Sequence, residues 1–352
     1  MKKICILSRY GSWHEESYLR FFQFIPKFNR LNISTEVLSL YPEDVKKNVF
    51  LFNEPGTGRM IPYLKRTYQL LFQNNYSHLW IDGESLPGIL FHLESYILPL
   101  DKKVILDLGD SIFYKYEKSQ KLLDRFLLRD KIPGLIQRAD MVICRNSSIY
   151  EYATRFKSEN IYLFHPSLNL KHFTPVSRIE EDGVREFILG FIGSHYSSNF
   201  LGKIQNVIRE LGRYYPLRVI VMNGNENLEF PVKHTHLSVT QETEKNELSH
   251  IDAGIFPFPN SLKEKGNLNI DILKMMAMAI PVVATDLGAA SDYIQNGVNG
   301  YLCKTDDDWY INLRLLLDEK DLAKNLGENA RKTIEERFDS ERIFNKLLPI
   351  FD

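Results

Sequence analysis

Short apolar runs rich in Ile, Val and Leu alternate along the chain with longer stretches in which apolar residues recur at helical spacing. This alternation is typical of βαβ units, in which parallel strands are buried on both faces and helices cover them. The first half contains six strand-like runs and the second half six more. They are KICILS, STEVLSL, HLWIDG, KVILDLGD, MVICRN and IYLFHP, then FILGFIGS, LRVIVMNG, THLSV, AGIFPFP, IPVVAT and GYLC.

A polar stretch, PVSRIEEDGVRE, separates the two series of strands and contains proline, glycine and mixed charge, which indicates a linker. We therefore predict an α/β protein with two Rossmann-like, doubly wound domains that face each other across a cleft. The predicted boundaries are 1–175 for the first domain, 176–186 for the linker and 187–352 for the second domain. The last helix is left open to pack back on the first domain.

Composition narrows the class of protein. Lys and Arg (44) nearly balance Asp and Glu (45) in the 352 residues, which argues against a dedicated nucleic-acid binder. Cys5, Cys144 and Cys303 lie far apart, a spacing that suits buried thiols rather than disulfides or a zinc site. The start, MKKICILS, has too short an apolar run for a signal peptide. We expect a cytoplasmic protein, with peripheral attachment at the inner face of the membrane left open.

The turn after FILGFIGS is a candidate anion site. Gly193 and Ser194 follow a buried strand and precede a helix. Small residues let backbone N–H groups approach an anion, and a helix N-terminus adds partial positive charge. The alternative is an ordinary turn capped by Ser197 or Ser198.

Two turns in the first half are further candidates. Gly11 and Ser12 lie in the first βα loop, but no G-x-G-x-x-G is present, which argues against a dinucleotide site. Asp107 and Asp110 follow the apolar run VIL at the carboxyl end of a strand. Such carboxylates could orient a sugar hydroxyl or accept a proton, or they could serve only as turn and capping residues.

The stretch EKGNLNIDILKMMAMAIPVVATDLGAASDYI contains a polar, glycine-containing loop, a helix, a strand and a second turn into a helix. Asp292 in that last helix could bind ribose hydroxyls or could complement the helix dipole. In this order the segments resemble the bacterial family-four glycosyltransferases of the GT-B fold, written roughly K-G-K-x-x-x-K-x-x-[QE]-Y-M-A-x-G-x-P-V-V. FIGSHYSSNFL, QRADMVICRNSSIYEYA and LDLGDSIF resemble further segments of that family, so the similarity covers nearly the whole chain.

The resemblance implies a transferase that moves a sugar from a UDP- or GDP-linked donor to a glycan or lipid-linked acceptor, retaining the anomeric configuration and needing no metal or cofactor. It implies a donor diphosphate on the second domain and an acceptor on the first. Taken with the turns described above, the candidate catalytic residues are Asp107, Asp110, Lys265 and Lys274; the candidate donor-binding residues are Gly193, Ser194, Gly266, Asn267, Asp271, Leu287, Gly288 and Asp292; the candidate acceptor-side residues are Gly11, Ser12 and Arg20.

The chain departs from the family at the phosphate loop, because the second and third family lysines are Asn267 and Asp271 here. A departing diphosphate gains charge and needs positive groups. Two unit charges 4 Å apart interact by about 4 kcal/mol at an effective dielectric constant of 20, which corresponds to about a thousandfold in rate. Lys274, one helical turn beyond Asp271, could supply the missing charge while pairing with Asp271. The alternative is an ion pair without catalytic consequence.

Two further functional classes stay open at this point. One is a non-catalytic GT-B module that binds a glycan or a partner protein, and the other is a GT-B sugar epimerase. Membrane contact also stays open, because YKYEKSQKLLDRFLLRDKIPGLIQR mixes apolar and basic residues as an interfacial helix does, although its acidic residues weaken the match.

Overall fold

A computed structural model describes residues 2–41, 60–73, 75–175 and 185–352. The chain divides into two compact units. Most of the predicted linker, residues 176–184, lies outside the described residues. The first unit comprises Met1–Ser167, Gly266–Leu268 and Ile343–Asp352, and the second comprises Leu168–Lys265 and Asn269–Arg342.

The first unit is built on a parallel sheet of six strands in the order β2-β1-β3-β4-β5-β6. The strands are β1 Lys3–Tyr10, β2 Ser34–Tyr41, β3 His78–Asp82, β4 Lys103–Leu108, β5 Met141–Cys144 and β6 Ile161–Leu163. Its helices are α1 Glu15–Arg20, α2 Ile25–Arg30, α3 Met60–Phe72, α4 Phe91–Ile97, α5 Ile112–Glu117, α6 Leu122–Leu128, α7 Lys131–Arg138 and α8 Ser147–Ala153.

Helices cover both faces of this sheet and give it two apolar cores. Alternate residues of β3 point to opposite faces, so Leu79 belongs to one core and Trp80 to the other. The end of the chain completes the second core: the ring of Phe351 lies 5.2 Å from that of Trp80 and 5.2 Å from that of Phe28. The C-terminal residues therefore belong to the hydrophobic core of the first unit.

The second unit is also a parallel sheet of six strands, in the order β12-β11-β10-β7-β8-β9. Its strands are β7 Phe187–Ile192, β8 Leu217–Met222, β9 Lys233–Leu237, β10 Ala253–Phe256, β11 Val282–Thr285 and β12 Tyr301–Cys303. The remaining helices are α9 His195–Ser198, α10 Gln205–Leu211, α11 Glu244–Leu248, α12 Leu262–Lys265, α13 Ile270–Ala277, α14 Ala289–Tyr293, α15 Asp306–Asp318, α16 Lys320–Arg337 and α17 Ser340–Leu347.

Each of the twelve strands predicted from the apolar pattern is present, so the predicted α/β class with two Rossmann-like sheets is confirmed. The strand order reverses between β1 and β3 in the first sheet and between β7 and β10 in the second. In open α/β sheets, ligands bind outside the carboxyl ends of strands at such reversals. Each unit therefore has one edge of its sheet at which a ligand is expected.

The three cysteines are buried thiols, as expected from their spacing. Burial raises the pKa of Cys5, Cys144 and Cys303 to about 12, which keeps them protonated and unreactive. Among the described residues, no helix is both long enough and apolar enough to cross a membrane.

Candidate functional site

Buried ion pairs surround Asp107 at the carboxyl edge of the first sheet. Asp82 and Asp107 are neighbours in the register of β3 and β4, and the Arg20 guanidinium contacts both, at 2.6 Å and 2.9 Å. Arg145 donates from Nε to Asp107 Oδ1 at 2.9 Å, and Trp80 donates from Nε1 to Asp107 Oδ2 at 3.0 Å. Asp107 is thus held by side chains from α1, β3 and the residue that follows β5.

These contacts favour a positioning role for Asp107. Burial raises the pKa of its carboxyl, but Arg145 and Arg20 more than offset this effect, so the pKa lies below its usual value. The side chain is fully buried, and both of its oxygens already accept hydrogen bonds. The carboxylate therefore stays charged and holds Arg20 in place, and its predicted catalytic role is not one that this geometry favours.

Asp110, the other aspartate of this turn, is exposed to solvent, whereas Gly109 beside it lies against Arg20. A Cβ at position 109 would lie 2.2 Å from Arg20 Nη1, so no side chain fits there unless Arg20 moves. The N-cap residue of α5 is Ser111, which means that Asp110 is not a capping residue in this structure. Its predicted role toward a substrate stays a prediction.

Glu16 is a candidate that we did not identify from the sequence. Partial burial and then the nearby Asp110 carboxylate raise the pKa of Glu16 to about 7. A carboxyl that titrates near neutral pH suits proton transfer. Its spacing in the sequence could have identified it, because Glu16 lies four residues before Arg20 and therefore on the same face of α1.

The loop after β1 lies at the same edge of the sheet. The Gly11 amide donates to the carbonyl of Tyr41 at 3.2 Å, and Gly11 is buried, whereas Ser12 is exposed. The rings of Tyr10 and His14 stack with centroids 4.5 Å apart, so aromatic side chains flank the turn. The acceptor-side role of Gly11, Ser12 and Arg20 stays a prediction.

The turn at Gly193 in the second unit differs from the sequence-based alternative, because its N-cap residue is Ser194 rather than Ser197 or Ser198. Ser194 Oγ accepts from the Ser197 amide at 3.2 Å, and the Ser194 amide donates to Ser197 Oγ at 2.9 Å. The Gly193 amide donates to the carbonyl of Met222 at 3.2 Å. Because all three of these backbone amides have partners within the protein, a bound anion would need to use other amides of this turn or displace one of these partners.

The structure brings the predicted catalytic residue Lys265 and the predicted donor-binding residue Gly288 into direct backbone contact. Gly288 has a φ of +55°, and a Cβ there would lie 2.3 Å from the carbonyl oxygen of Lys265. Gly266 packs just as tightly, since a Cβ there would lie 2.6 Å from Ser111 Cβ. Glycine is required at both positions, which explains these two matches to the family pattern.

Lys274 in α13 is buried and pairs with two carboxylates. Its Nζ lies 3.1 Å from Asp271 Oδ1, as the helical spacing predicts, and 2.8 Å from Glu244 Oε1 in α11. Glu244 is 30 residues away in sequence and was not identified from the sequence. Because two carboxylates neutralise this ammonium, the proposed transfer of the missing phosphate charge to Lys274 gains no support from the geometry.

The remaining predicted donor-side residues are Asn267, Leu287 and Asp292. Leu287 is a buried core residue, whereas Asn267 and Asp292 are half-buried. Asp292 lies in the first turn of α14, and its carbonyl accepts a hydrogen bond from Arg337 at 3.1 Å. Both proposed roles of its carboxylate, binding ribose and complementing the dipole, agree with this position.

Within the described residues, no group of three or more His, Cys, Asp or Glu side chains could hold a metal ion. The expectation of metal independence stays a prediction.

Similar solved structures show the fold. A glycosyltransferase from Rickettsia africae matches 99% of this chain and 97% of its own with a TM-score of 0.70 at 13% identity. Anabaena HepE, solved in complex with UDP-glucose, matches 99% of both chains with a TM-score of 0.69 at 15% identity. The fold is therefore the GT-B fold, as the resemblance implied.

The family is indicated by the second unit. Residues 186–319 match the family described as Glycosyl transferases group 1, which confirms the resemblance drawn from the motifs. The chain is 36% identical over 93 residues to the Bacillus anthracis N-acetyl-alpha-D-glucosaminyl L-malate synthase, covering 26% of this chain and 24% of that protein. It is 23% identical over 177 residues to the Staphylococcus aureus capsular polysaccharide biosynthesis glycosyltransferase CapM, covering 47% and 46%. The chain thus spans less than half the length of these curated relatives.

Proposed function

We propose that this protein is a glycosyltransferase that moves a sugar from a nucleoside-diphosphate donor to a glycan or lipid-linked acceptor, with retention and without a metal. The observation that carries the proposal is the family match over residues 186–319, the part of the chain that contains Gly193, Lys265 and Gly288. Within it, the packing of Gly288 on the Lys265 backbone joins the segments that follow β10 and β11, and β10 borders the strand-order reversal of the second sheet. We further propose a cytoplasmic location.

The reaction breaks the bond between the anomeric carbon and the phosphate oxygen and forms one between that carbon and an acceptor oxygen. The leaving diphosphate gains negative charge, and the acceptor hydroxyl loses a proton. We assign stabilisation of the diphosphate to Lys265, which stands at the first lysine of the family pattern. Lys274 pairs with Glu244 and Asp271 and is not assigned this role. We propose that one carboxylate of the first unit, either Asp110 or Glu16, accepts this proton.

The nucleotide base is proposed to lie between residues 222–227 and the segment LSVTQET, which begins at the last residue of β9. The Asn223 side chain joins these two loops: its Oδ1 accepts from the Val239 amide at 2.8 Å, and its Nδ2 donates to the Val239 carbonyl at 3.1 Å. Asn225 connects the first loop to the helix that follows Gly193: its backbone amide donates to Ser198 Oγ at 2.8 Å. Two loops joined in this way provide preformed walls for a planar ring.

Thermal-shift measurements with UDP, GDP, CMP and TDP test the proposal. A ligand that binds only the folded state stabilises it by about 2.7 kcal/mol at one hundred times its Kd. One nucleoside diphosphate should raise the melting temperature, and the corresponding nucleotide sugars should then be turned over with a glycan or lipid-linked acceptor. No shift with any nucleotide, together with no turnover, would contradict the proposal.

A non-catalytic GT-B module is the second candidate, and the ion pairs of Lys274 favour it. The chain has Asn267 and Asp271 where the family has lysines, and the nearby Lys274 charge is neutralised. Such a module would bind a glycan without turning over any nucleotide sugar. Binding of a glycan in the absence of any nucleotide-induced shift would establish this alternative.

A further inference from the structure

The short helix α6 exposes an apolar stripe instead of burying it. The exposed fractions of Leu122, Leu123, Phe126 and Leu127 are 71%, 68%, 79% and 47%. Positions 122 and 126, like 123 and 127, are four residues apart and therefore adjacent on one side of the helix. A stripe of this kind normally packs on the core of a soluble protein. Here only Leu128 of the helix is buried.

Basic side chains flank this stripe. The segment 115–129 has five basic and two acidic residues, whereas the whole chain has a net charge of −1. The side chains of Lys118, Lys121 and Arg125 are exposed and make no ion pair or hydrogen bond with another described residue. We call the set Lys118, Lys121, Leu122, Leu123, Arg125, Phe126 and Leu127 the basic–apolar face.

Three acidic residues, Glu117, Asp124 and Asp130, lie in or next to this segment; Asp124 is half-buried in α6, and the other two have partners. Glu117 accepts a hydrogen bond from the hydroxyl of Tyr152, and Asp130 lies 3.4 Å from Arg129 Nε. Beside α6 an open cavity of about 600 Å³ is lined by the apolar side chains of Leu122, Phe126 and Phe156 and by several charged ones. The region therefore presents apolar surface, positive charge and a concave site together.

We propose that the basic–apolar face docks this protein on an anionic lipid bilayer, with α6 lying in the interface. Lysine and arginine contribute about 1 kcal/mol each near an anionic surface, and exposed Leu and Phe side chains enter the acyl boundary. A second copy of this chain fits the face poorly, because a two-fold contact would place two basic segments against each other. The inference rests on the proposed function only in that a lipid-linked acceptor would be presented at the same surface.

Vesicle sedimentation without any nucleotide tests the docking separately from catalysis. The probes are vesicles of phosphatidylcholine alone and vesicles of equal parts phosphatidylcholine and phosphatidylglycerol. We expect binding to the anionic vesicles only. The double variant Lys118→Gln with Arg125→Gln should bind anionic vesicles about thirtyfold more weakly. Binding of the unchanged protein should also weaken as the salt concentration is raised. The pair Leu122→Ser and Phe126→Ser should weaken it without changing the melting temperature.

A matched control carries the same kinds of change on the second unit, with Tyr214→Ser and Lys203→Gln at exposed positions. It should bind vesicles like the unchanged protein. Equal binding to both vesicle types, or variants of the face that bind as tightly as the control, would overturn the proposal. Sedimentation velocity tests whether a second copy covers the face. A dimer that the double variant Leu122→Ser with Phe126→Ser abolishes would overturn the proposal. If the unchanged protein binds anionic vesicles but turns over no nucleotide sugar, the proposed function alone is contradicted.

Discussion

The carboxyl edges of the two sheets are built in different ways. In the first unit, Arg20, Asp82, Asp107 and Arg145 form a buried network of charges at the ends of the strands. In the second unit, the turns at Gly193 and Gly288 contain small residues and close backbone contacts. Charged side chains with several partners hold their geometry through long-range contacts, whereas glycine turns hold it through local backbone shape. Substitutions at the two edges are therefore expected to disturb the structure for different physical reasons: loss of charge pairing at the first edge and steric clash at the second.

The largest effect is expected where the first edge loses its buried carboxylate. Asp107→Asn leaves the guanidinium groups of Arg20 and Arg145 without their shared charge, and we expect a loss of about 3–5 kcal/mol in stability. Asp101→Asn, at a side chain 70% exposed and paired with Lys102, should leave stability nearly unchanged, because water screens an exposed pair. Urea unfolding and melting temperature compare the two variants.

The pH dependence gives a further check on Asp107. Because its pKa is depressed in the folded state, its contribution is present above the unfolded pKa and is lost as the pH falls through the folded pKa. The difference between the unchanged protein and Asp107→Asn should therefore shrink in acid. A variant that melts normally but has lost turnover would instead point to contact with substrate.

The next largest effect concerns the two lysines of the second unit. Lys265→Ala should lower kcat by about 10²–10³-fold with little change in melting temperature, because it removes the positive charge that stabilises the departing diphosphate. Lys274→Ala should mainly lower stability, since it leaves the buried Glu244 and the half-buried Asp271 without their cation. Steady-state kinetics and thermal melting separate these outcomes.

The double variant Lys274→Met with Glu244→Gln removes both charges of the closest pair and should recover part of the lost stability. If it is stable but inactive, Lys274 has a catalytic role after all, as the helical spacing suggested. In that case Asp271→Lys together with Lys274→Gln, which rebuilds the family pattern, should restore turnover.

A smaller effect tests the glycine turn itself. Gly288 and Gly297 both have positive φ, +55° and +74°, but of the two only Gly288 has neighbours within 4 Å of the point that an added Cβ would occupy, namely the backbone of Lys265. Gly297→Ala should cost about 1 kcal/mol from backbone strain alone. Gly288→Ala should cost about 1–3 kcal/mol more, because the Lys265 loop must shift. Nucleotide affinity, measured by calorimetry, should fall for Gly288→Ala and stay unchanged for Gly297→Ala.

The smallest expected effect is a change in the pH dependence of stability. The pKa of Glu16 is raised from 4.5 to about 7, so between these values the folded state binds more protons than the unfolded state. Stability should therefore fall as the pH rises through this window. Glu16→Gln should flatten this slope, whereas the neighbouring Glu15→Gln should leave it unchanged. Melting curves at pH 5 and pH 8 give the comparison, and parallel slopes for all three proteins would contradict it.

The strands and the fold class could be predicted because their signals are local. Runs such as KICILS and FILGFI are apolar enough to be buried on both faces, and their alternation with helical segments leaves a parallel α/β arrangement as the simple solution. The resemblance also marked Gly266 and Gly288 as positions of interest, and the structure supplied the steric reason for glycine at both. These features depend on a few consecutive residues and the periodicity around them.

The partners of the charged side chains could not be predicted, because they come from distant parts of the chain. Asp107 has the sequence context of a catalytic carboxylate, but Arg20, Trp80 and Arg145 enclose it in the structure. Lys274 was expected to meet Asp271, which the helix spacing determines, but its pairing with Glu244 depends on how α11 packs beside α13.

By itself, the sequence determined the twelve strands, the glycine turns and the membership of both sheets in one fold class, since periodicity and backbone sterics act over short distances. Only the tertiary structure decided which charges are neutralised, which aspartate reaches solvent and that the apolar stripe of α6 faces outward. The physical reason is that burial and charge pairing depend on contacts between segments far apart in sequence, and a pattern of residue types does not specify those contacts.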